Sequence, residues 1–335
     1  MKPKVVGEPL VSVVFPVYNG EKLIRTALKQ ILLQTHKNIE IIFSDNLSSD
    51  SSRSILNSIV KESSNIKVYY QRQNLGAMTN VNFLFNKAQG KYILLAALDD
   101  YRSQNYITEM VKVLEDRPDV ALCIPQVHMI LAHENTKVYT INELSEHQFE
   151  KSIGRYYQTL FSFPNVSWYG IYRASMLRKL PPIPETFAGD LIFIQMLSLI
   201  GRFKYCEAAV LEFVMKEKWN TKSMDVRFFY GTRKDPRKIP RSLIVLMNQI
   251  RIIIEARIPV YQKMAALSIL GVFEIYKTGL KMCKLIIRNL PLSDKIKMKV
   301  SRKFYFRFMK PSWATINNHH LFELREIRPI IGIEK

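Results

Sequence analysis

Three cysteines in 335 residues are too few, and too widely separated, to build a disulfide framework or a cysteine-rich zinc site. Cys123, Cys206 and Cys283 each stand among apolar neighbours, and their odd number suits a reducing compartment. The six histidines lack metal-type spacing. His319 and His320 are adjacent, and neighbours on a helix or strand diverge, so a shared ion is disfavoured. No uncharged apolar run reaches the roughly 18 residues of a spanning helix. The opening MKPKVVGEPL is too short and too polar for a secretory leader, so a cytoplasmic chain is expected. Internal repeats and low-complexity segments are missing too.

What the chain has in excess is positive charge. Its formal net charge is +20, spread unevenly. Residues 1–224 hold 26 basic and 21 acidic groups, a net of +5; residues 225–335 hold 23 and 8, a net of +15. That asymmetry predicts two regions, 1–224 and 225–335, with separate tasks. A hydrophobic content of 47% excludes a disordered chain, and the length allows a large core or two domains.

Strand and helix signals alternate through the first 125 residues or so. VSVVF (11–15) is a β-branched run expected to stop at Pro16. An amphipathic pattern from Glu21 to Gln34 follows, with Ile24, Leu28, Ile31 and Leu32 at helical spacing. IEIIF (39–43), IKVYYQR (66–72), KYILLAA (91–97) and VALCI (120–124) read as further strands. Helices are expected over 51–62, up to Ala88, and over 105–115. Further on, 166–172 and 203–215 carry strand signals, and Asp190–Ile200 a helix that ends at Gly201. The alternation implies an α/β fold, a mostly parallel sheet with helices on both faces. In such sheets ligands bind beyond the carboxyl ends of the strands. Four polar clusters fall there: Pro16–Asn19, Asp45–Asp50, Asn74–Asn80 and Asp99–Asp100.

The ordered set VSVVFPVYNGEKLIRTALKQILLQT, IEIIFSDNLSSDSS and YYQRQNLGAMTNVNFLFNKAQGKYILLAALDD resembles family 2 glycosyltransferases, over about residues 10–220. The resemblance implies a GT-A fold (Rossmann-like), a nucleotide-diphosphate sugar donor, UDP-sugar favoured, a divalent Mn or Mg ion, and inversion at the anomeric carbon. It also implies roles for residues. Asp45 matches the carboxylate that accepts the imide N–H of a uracil-like base, a task suited to an ionised acid. A helix cap is the plainer reading of Asp45, although Ser49 or Asp50 is better placed to cap 51–62. Asp99 matches the last acid of the family's D-x-D motif and is the expected metal ligand; Ala97 stands where the first acid would be. Hard cations want carboxylate, phosphate and water oxygens. Asp100 would contact the sugar or order the loop.

Tyr18 and Asn19 suit stacking and hydrogen bonding to a base, or form a plain turn. Arg72 could meet phosphate as a bidentate fork. Gly76 allows close backbone approach. Asn74 and Asn80 share that polar loop, and Asn74 could equally cap a helix. Asp190 matches the family's catalytic base, which takes the acceptor hydroxyl proton; an acid at a helix start is also a routine cap. Many relatives carry Glu-Asp there, and this chain has Gly189-Asp190. Lys216, Lys218 or Lys222 could serve the diphosphate from the loop after the last strand.

In the basic third, a helix is expected from Lys263 to Arg288, with Lys277, Lys281, Lys284 and Arg288 on one face. SDKIKMKVSRKFYFRFMK adds basic groups among aromatics. Such stretches suit an anionic membrane surface. A solvated helix face and single-stranded nucleic acid are the competing readings, nucleic acid the least favoured. The sequence thus points to sugar transfer onto a lipid-linked or polysaccharide acceptor at an inner membrane face. A weakened relative that only binds nucleotide-sugar is the alternative.

Overall fold

A computed structural model describes residues 7–62, 64–131, 136–141, 149–162, 168–186, 188–215, 241–289 and 314–316. Lys216, Lys218, Lys222, His319, His320 and the 293–310 segment lie outside the described residues. At the centre is β1 (Val11–Val17), flanked in parallel by β2 (Ile39–Asp45) and β4 (Tyr92–Leu95), with β3 (Ile66–Tyr70) outside β2. Helices α1 (Ile24–Leu32), α2 (Ser52–Glu62) and α3 (Ala77–Lys87) make the crossovers. Then β5 (Tyr101–Arg102), α4 (Tyr106–Asp116), β6 (Val120–Leu131) and β7 (Thr136–Ile141) follow. After α5 (Ser152–Ser162) come β8 (Ile171–Arg173), α6 (Ala174–Leu177), α7 (Gly189–Ile200) and β9 (Arg202–Met215). Two helices, α8 (Arg241–Glu255) and α9 (Val260–Asn289), and a short β10 (Ala314–Ile316) complete the described chain.

The sheet is uniformly parallel through β3-β2-β1-β4. Beyond β4 it turns mixed: β8 runs antiparallel to β4 and β6, and β7 antiparallel to β6, while β9 runs parallel to β6. Period-two alternation along β1 explains the two-sided core. Val13, Phe15 and Val17 point into one layer with α1, α2 and α4; Val14 points into the other with α3 and α7. Phe15 stacks on Phe43 of β2 at 4.8 Å between ring centres. Pro16 does not end the strand as the sequence reading expects. It pairs in register with Ser44, and β4 has already ended opposite Val14, so the missing N–H has no ladder partner to lose.

The helix GDLIFIQMLSLI is apolar almost all round, which requires burial on every side. Phe193, Ile194 and Leu197 of α7 face the sheet. Ile192, Met196 and Leu199 face a third cluster built with Tyr156 and Leu160 of α5, Ile252 and Ile253 of α8, and Ala266 and Leu270 of α9. The helices of the basic region therefore cover α7. Lys277 does not lie on an open basic face: it is half-buried and bonded to Glu274 one turn earlier. Among the described residues no helix is long and apolar enough to cross a membrane.

Candidate functional site

Five loops meet at the carboxyl edge of β1, β2, β3 and β4. The first follows β1. Tyr18 is 48% exposed there. Asn19 takes the left-handed φ of 52°. Its N–H donates to Ser48 Oγ at 2.9 Å, and its Oδ1 accepts the Ser49 N–H at 2.9 Å. Asn19 thus ties the first loop to the second. At Gly20 a Cβ would stand 2.5 Å from Leu98 Cδ1, so the first loop also touches the turn after β4.

Asp45 ends β2 almost wholly buried, and its Oδ1 accepts the Ser48 N–H at 3.2 Å. Asp50 does the capping expected of it: its carboxylate accepts the N–H groups of Ser52 and Glu21, both at 3.0 Å. Burial pushes its carboxyl up, but the Ser52 hydroxyl together with these backbone N–H groups outweighs that push and holds Asp50 below the ordinary carboxylate value. Asp45 is therefore not needed as a cap for α2.

The third loop is pinned by Asn46, a residue that sequence reasoning passed over. Asn46 Nδ2 donates to Asn74 Oδ1 at 3.1 Å, and its Oδ1 accepts the Leu75 N–H at 2.8 Å. Asn74 Oδ1 also accepts the Gly76 N–H at 2.9 Å. Gly76 has φ 77°, a conformation that glycine adopts at little cost, and it starts α3. Asn80 is buried in the same network, accepting from Ser44 Oγ at 2.6 Å and donating to the Ser44 carbonyl at 3.1 Å. Asn74 and Asn80 thus spend these amide bonds inside the protein, holding β2 against the third loop. Arg72 is exposed at its rim.

After β4 the chain turns through Ala97, Leu98, Asp99 and Asp100 into β5, which pairs with β9. Asp99 is exposed and Asp100 is buried. Asp100 Oδ2 lies 3.5 Å from Arg102 Nη2, both side chains almost fully enclosed, and Arg102 Nη1 lies 3.5 Å from the Ala97 carbonyl oxygen. The guanidinium clamps both ends of the turn and leaves Asp99 as its exposed acid.

The fifth loop precedes α7. Ala188 has φ 62°, and a Cβ on Gly189 would stand 2.3 Å from the Pro184 carbonyl oxygen and 3.2 Å from Met78 Cγ of α3. This packing seats the N-terminus of α7 beside the third loop. Asp190 follows, largely enclosed, with its Oδ1 accepting the Leu191 N–H at 2.8 Å. Burial raises its carboxyl above the ordinary value, against the lowering effect of those backbone N–H groups.

Tyr169 joins the last two loops. Burial, then the charges of Asp100, Asp99 and Asp190, hold its phenol well above the ordinary value. Acids of two separate loops, the adjacent pair Asp99 and Asp100 and the distant Asp190, therefore lie within electrostatic reach of one ring. The sequence marks Tyr169 only as part of a strand, and no signal singles it out. Among the described residues no group of three or more His, Cys, Asp or Glu is arranged to hold a metal ion. The donor set still fits a hard cation that keeps few protein ligands: one exposed carboxylate, Asp99, with phosphate and water oxygens filling the rest.

Comparison with known proteins agrees with this architecture. The family described as "Glycosyl transferase family 2" matches residues 12–180. The chain is 29% identical over 127 residues to an uncharacterized glycosyltransferase of Haemophilus influenzae, covering 38% of this chain and 47% of that one. It is 32% identical over 108 residues to glycosyltransferase GlyG of Streptococcus pneumoniae, covering 32% of this chain and 36% of that one. The chain thus spans less than half the length of these two relatives. Among solved structures it is similar to TarS of S. aureus in complex with UDP, with a TM-score of 0.58, 16% identity, and coverage of 87% of this chain and 78% of that one. A complex of TarS with UDP-GlcNAc aligns equally well, at TM-score 0.58 and 17% identity. At that identity the likeness establishes the fold, GT-A, and nothing finer.

Proposed function

Because the chain belongs to glycosyl transferase family 2 and is a glycosyltransferase, we propose that it inverts a sugar from a nucleotide-diphosphate donor onto a lipid-linked or polysaccharide acceptor. The observation that carries this reading is the tying together of the loops at the carboxyl edge of the sheet, through Asn19 to Ser48 and Ser49, Asn46 to Asn74 and Leu75, Gly20 to Leu98, and Gly189 to Met78, which gathers Asp45, Asp99 and Asp190 at one edge. A UDP-sugar is the favoured donor, in keeping with the UDP and UDP-GlcNAc named for TarS.

Tyr18, exposed beside Asp45, offers its ring to the base, and Asp45 accepts the base imide N–H. Pro16 and Asn19 set the path of that loop. Arg72 meets phosphate from the rim, Gly76 lets backbone approach it, and Asn74 and Asn80 hold the loop in place. A divalent ion held by Asp99 and the diphosphate would neutralise charge on the leaving group. Asp100, through Arg102, fixes the turn that presents Asp99. Asp190 accepts the acceptor's hydroxyl proton while that oxygen forms its bond to the sugar C1. The C1–O bond to the diphosphate breaks, and the nucleoside diphosphate leaves with the electron pair. A raised carboxyl suits a base whose strength must approach that of its task. Residues 1–224 carry this chemistry, and residues 225–335 hold the chain to an anionic membrane at its inner face.

Ala97 favours a second reading, a GT-A protein that binds nucleotide-sugar with weakened turnover. Hydrolysis of a panel of UDP- and GDP-sugars by the purified chain, with and without manganese, separates the two. Turnover supports the enzyme; binding alone supports the weakened relative; neither sinks both. Asp99→Asn is expected to lose the manganese-dependent part of donor binding, read by calorimetry. Unchanged affinity would refute the metal assignment.

A further inference from the structure

Helices α8 and α9 bury one side each against α5 and α7. Their opposite sides are exposed and apolar. On α8, Leu243, Met247, Ile250 and Ile254 recur at intervals of four, three and four residues, which is one helical face. On α9 the outward side carries Tyr261, Met264, Val272 and Ile275, the last of these 75% exposed. Ser268 and Gly271 lie between them, and from Val260 to Gly279 this side holds no charged residue. Two charged pairs lie off these apolar stripes: Arg251 pairs with Glu255, and Lys277 with Glu274. A helix face meant for water carries charge; this one carries none over about five turns.

We infer that the outward face of the α8–α9 hairpin is the surface that inserts into an anionic bilayer, seating the protein by its apolar side chains rather than by a lysine stripe. This rests on the membrane reading above and names its contact surface. Charge selects the occupant. Residues 225–335 carry a net of +15, which complements anionic headgroups. A second copy docked through the same face would bring two such regions together, against their mutual repulsion. Interfacial helices bind through buried apolar area combined with attraction to anionic lipid, and Tyr261 suits the boundary where one end of a ring is wet.

Flotation of the full chain tests this, using vesicles of phosphatidylglycerol and phosphatidylcholine in equal parts, and of phosphatidylcholine alone. Wild type is expected to float with the anionic vesicles. The double variant Met264→Glu, Ile275→Glu should lose at least about tenfold in bound-to-free ratio. Its thermal unfolding and its donor hydrolysis should match the wild type, since neither residue touches the core or the site. A variant that floats like wild type overturns the inference while leaving membrane binding in place. A variant that instead turns a wild-type dimer into a monomer by light scattering also overturns it, in favour of a second copy. Failure of wild type to float removes the membrane reading and the inference together, and donor hydrolysis still reports separately on the transferase.

Discussion

Asp190 holds a charge where burial disfavours it. Its folded carboxyl is raised, so the native state binds this proton more tightly than the unfolded chain does. The stabilising share of this group is full below the unfolded carboxylate value and is lost as pH rises through the folded one. Asp190→Asn should therefore raise the melting temperature at neutral pH while lowering kcat by about 10²–10⁴-fold. Thermal unfolding and donor kinetics on one preparation check both signs. The acid limb of kcat/KM should lie above the ordinary carboxylate range, and the Asn variant should lose it. Arg102 makes the opposite case. Replacing it with Met removes the charge partner of the buried Asp100 and should cost about 3 kcal/mol or more, measured by urea unfolding.

At the scale of elements, the loops of the site are held by one another as well as by bonds within themselves. Asn46 is the main tie between β2 and the third loop. Asn46→Ala would leave the part-buried Leu75 N–H without its acceptor and should cost about 1–2 kcal/mol, with a rise in donor KM checked by steady-state kinetics. The elements themselves were largely legible. The β-branched runs VSVVF and IEIIF place the central strands, and Gly201 ends α7 as expected. The β5–β9 ribbon was not, since two residues, Tyr101 and Arg102, carry no periodicity. The places of Asp45, Asp99 and Asp190 at strand and helix ends could be read because acids at such ends are visible in one dimension. Asn46 and Tyr169 could not, because their importance lies in partners that only the fold brings near.

For the whole molecule, the charge boundary near residue 225 does not coincide with a packing boundary. Ile192, Met196 and Leu199 of α7 lie under α8 and α9. A chain ending at residue 224 should expose that face, unfold at a lower temperature and aggregate at concentrations where the full chain stays dispersed, as light scattering would record. Burial of apolar area scales with the surface removed from water, and these helices supply one side of it. On the proposed reading, membrane contact and catalysis would be mechanically joined: α7 carries Asp190 at its N-terminus and packs Ile192, Met196 and Leu199 against the two helices proposed to meet the bilayer.

Among the described residues, three that are not glycine adopt a left-handed backbone: Asn19, Leu47 and Ala188. Each costs about 1–3 kcal/mol of local strain in loops that edge the site. An engineer seeking a hardier protein would choose glycine at Leu47 and Ala188 first, and a screen on melting temperature alone would reward the choice. The same edits would loosen the rim around Asp45 and the approach to Asp190. Thermal hardiness and turnover should therefore be selected together in any redesign of this chain, with these positions left fixed.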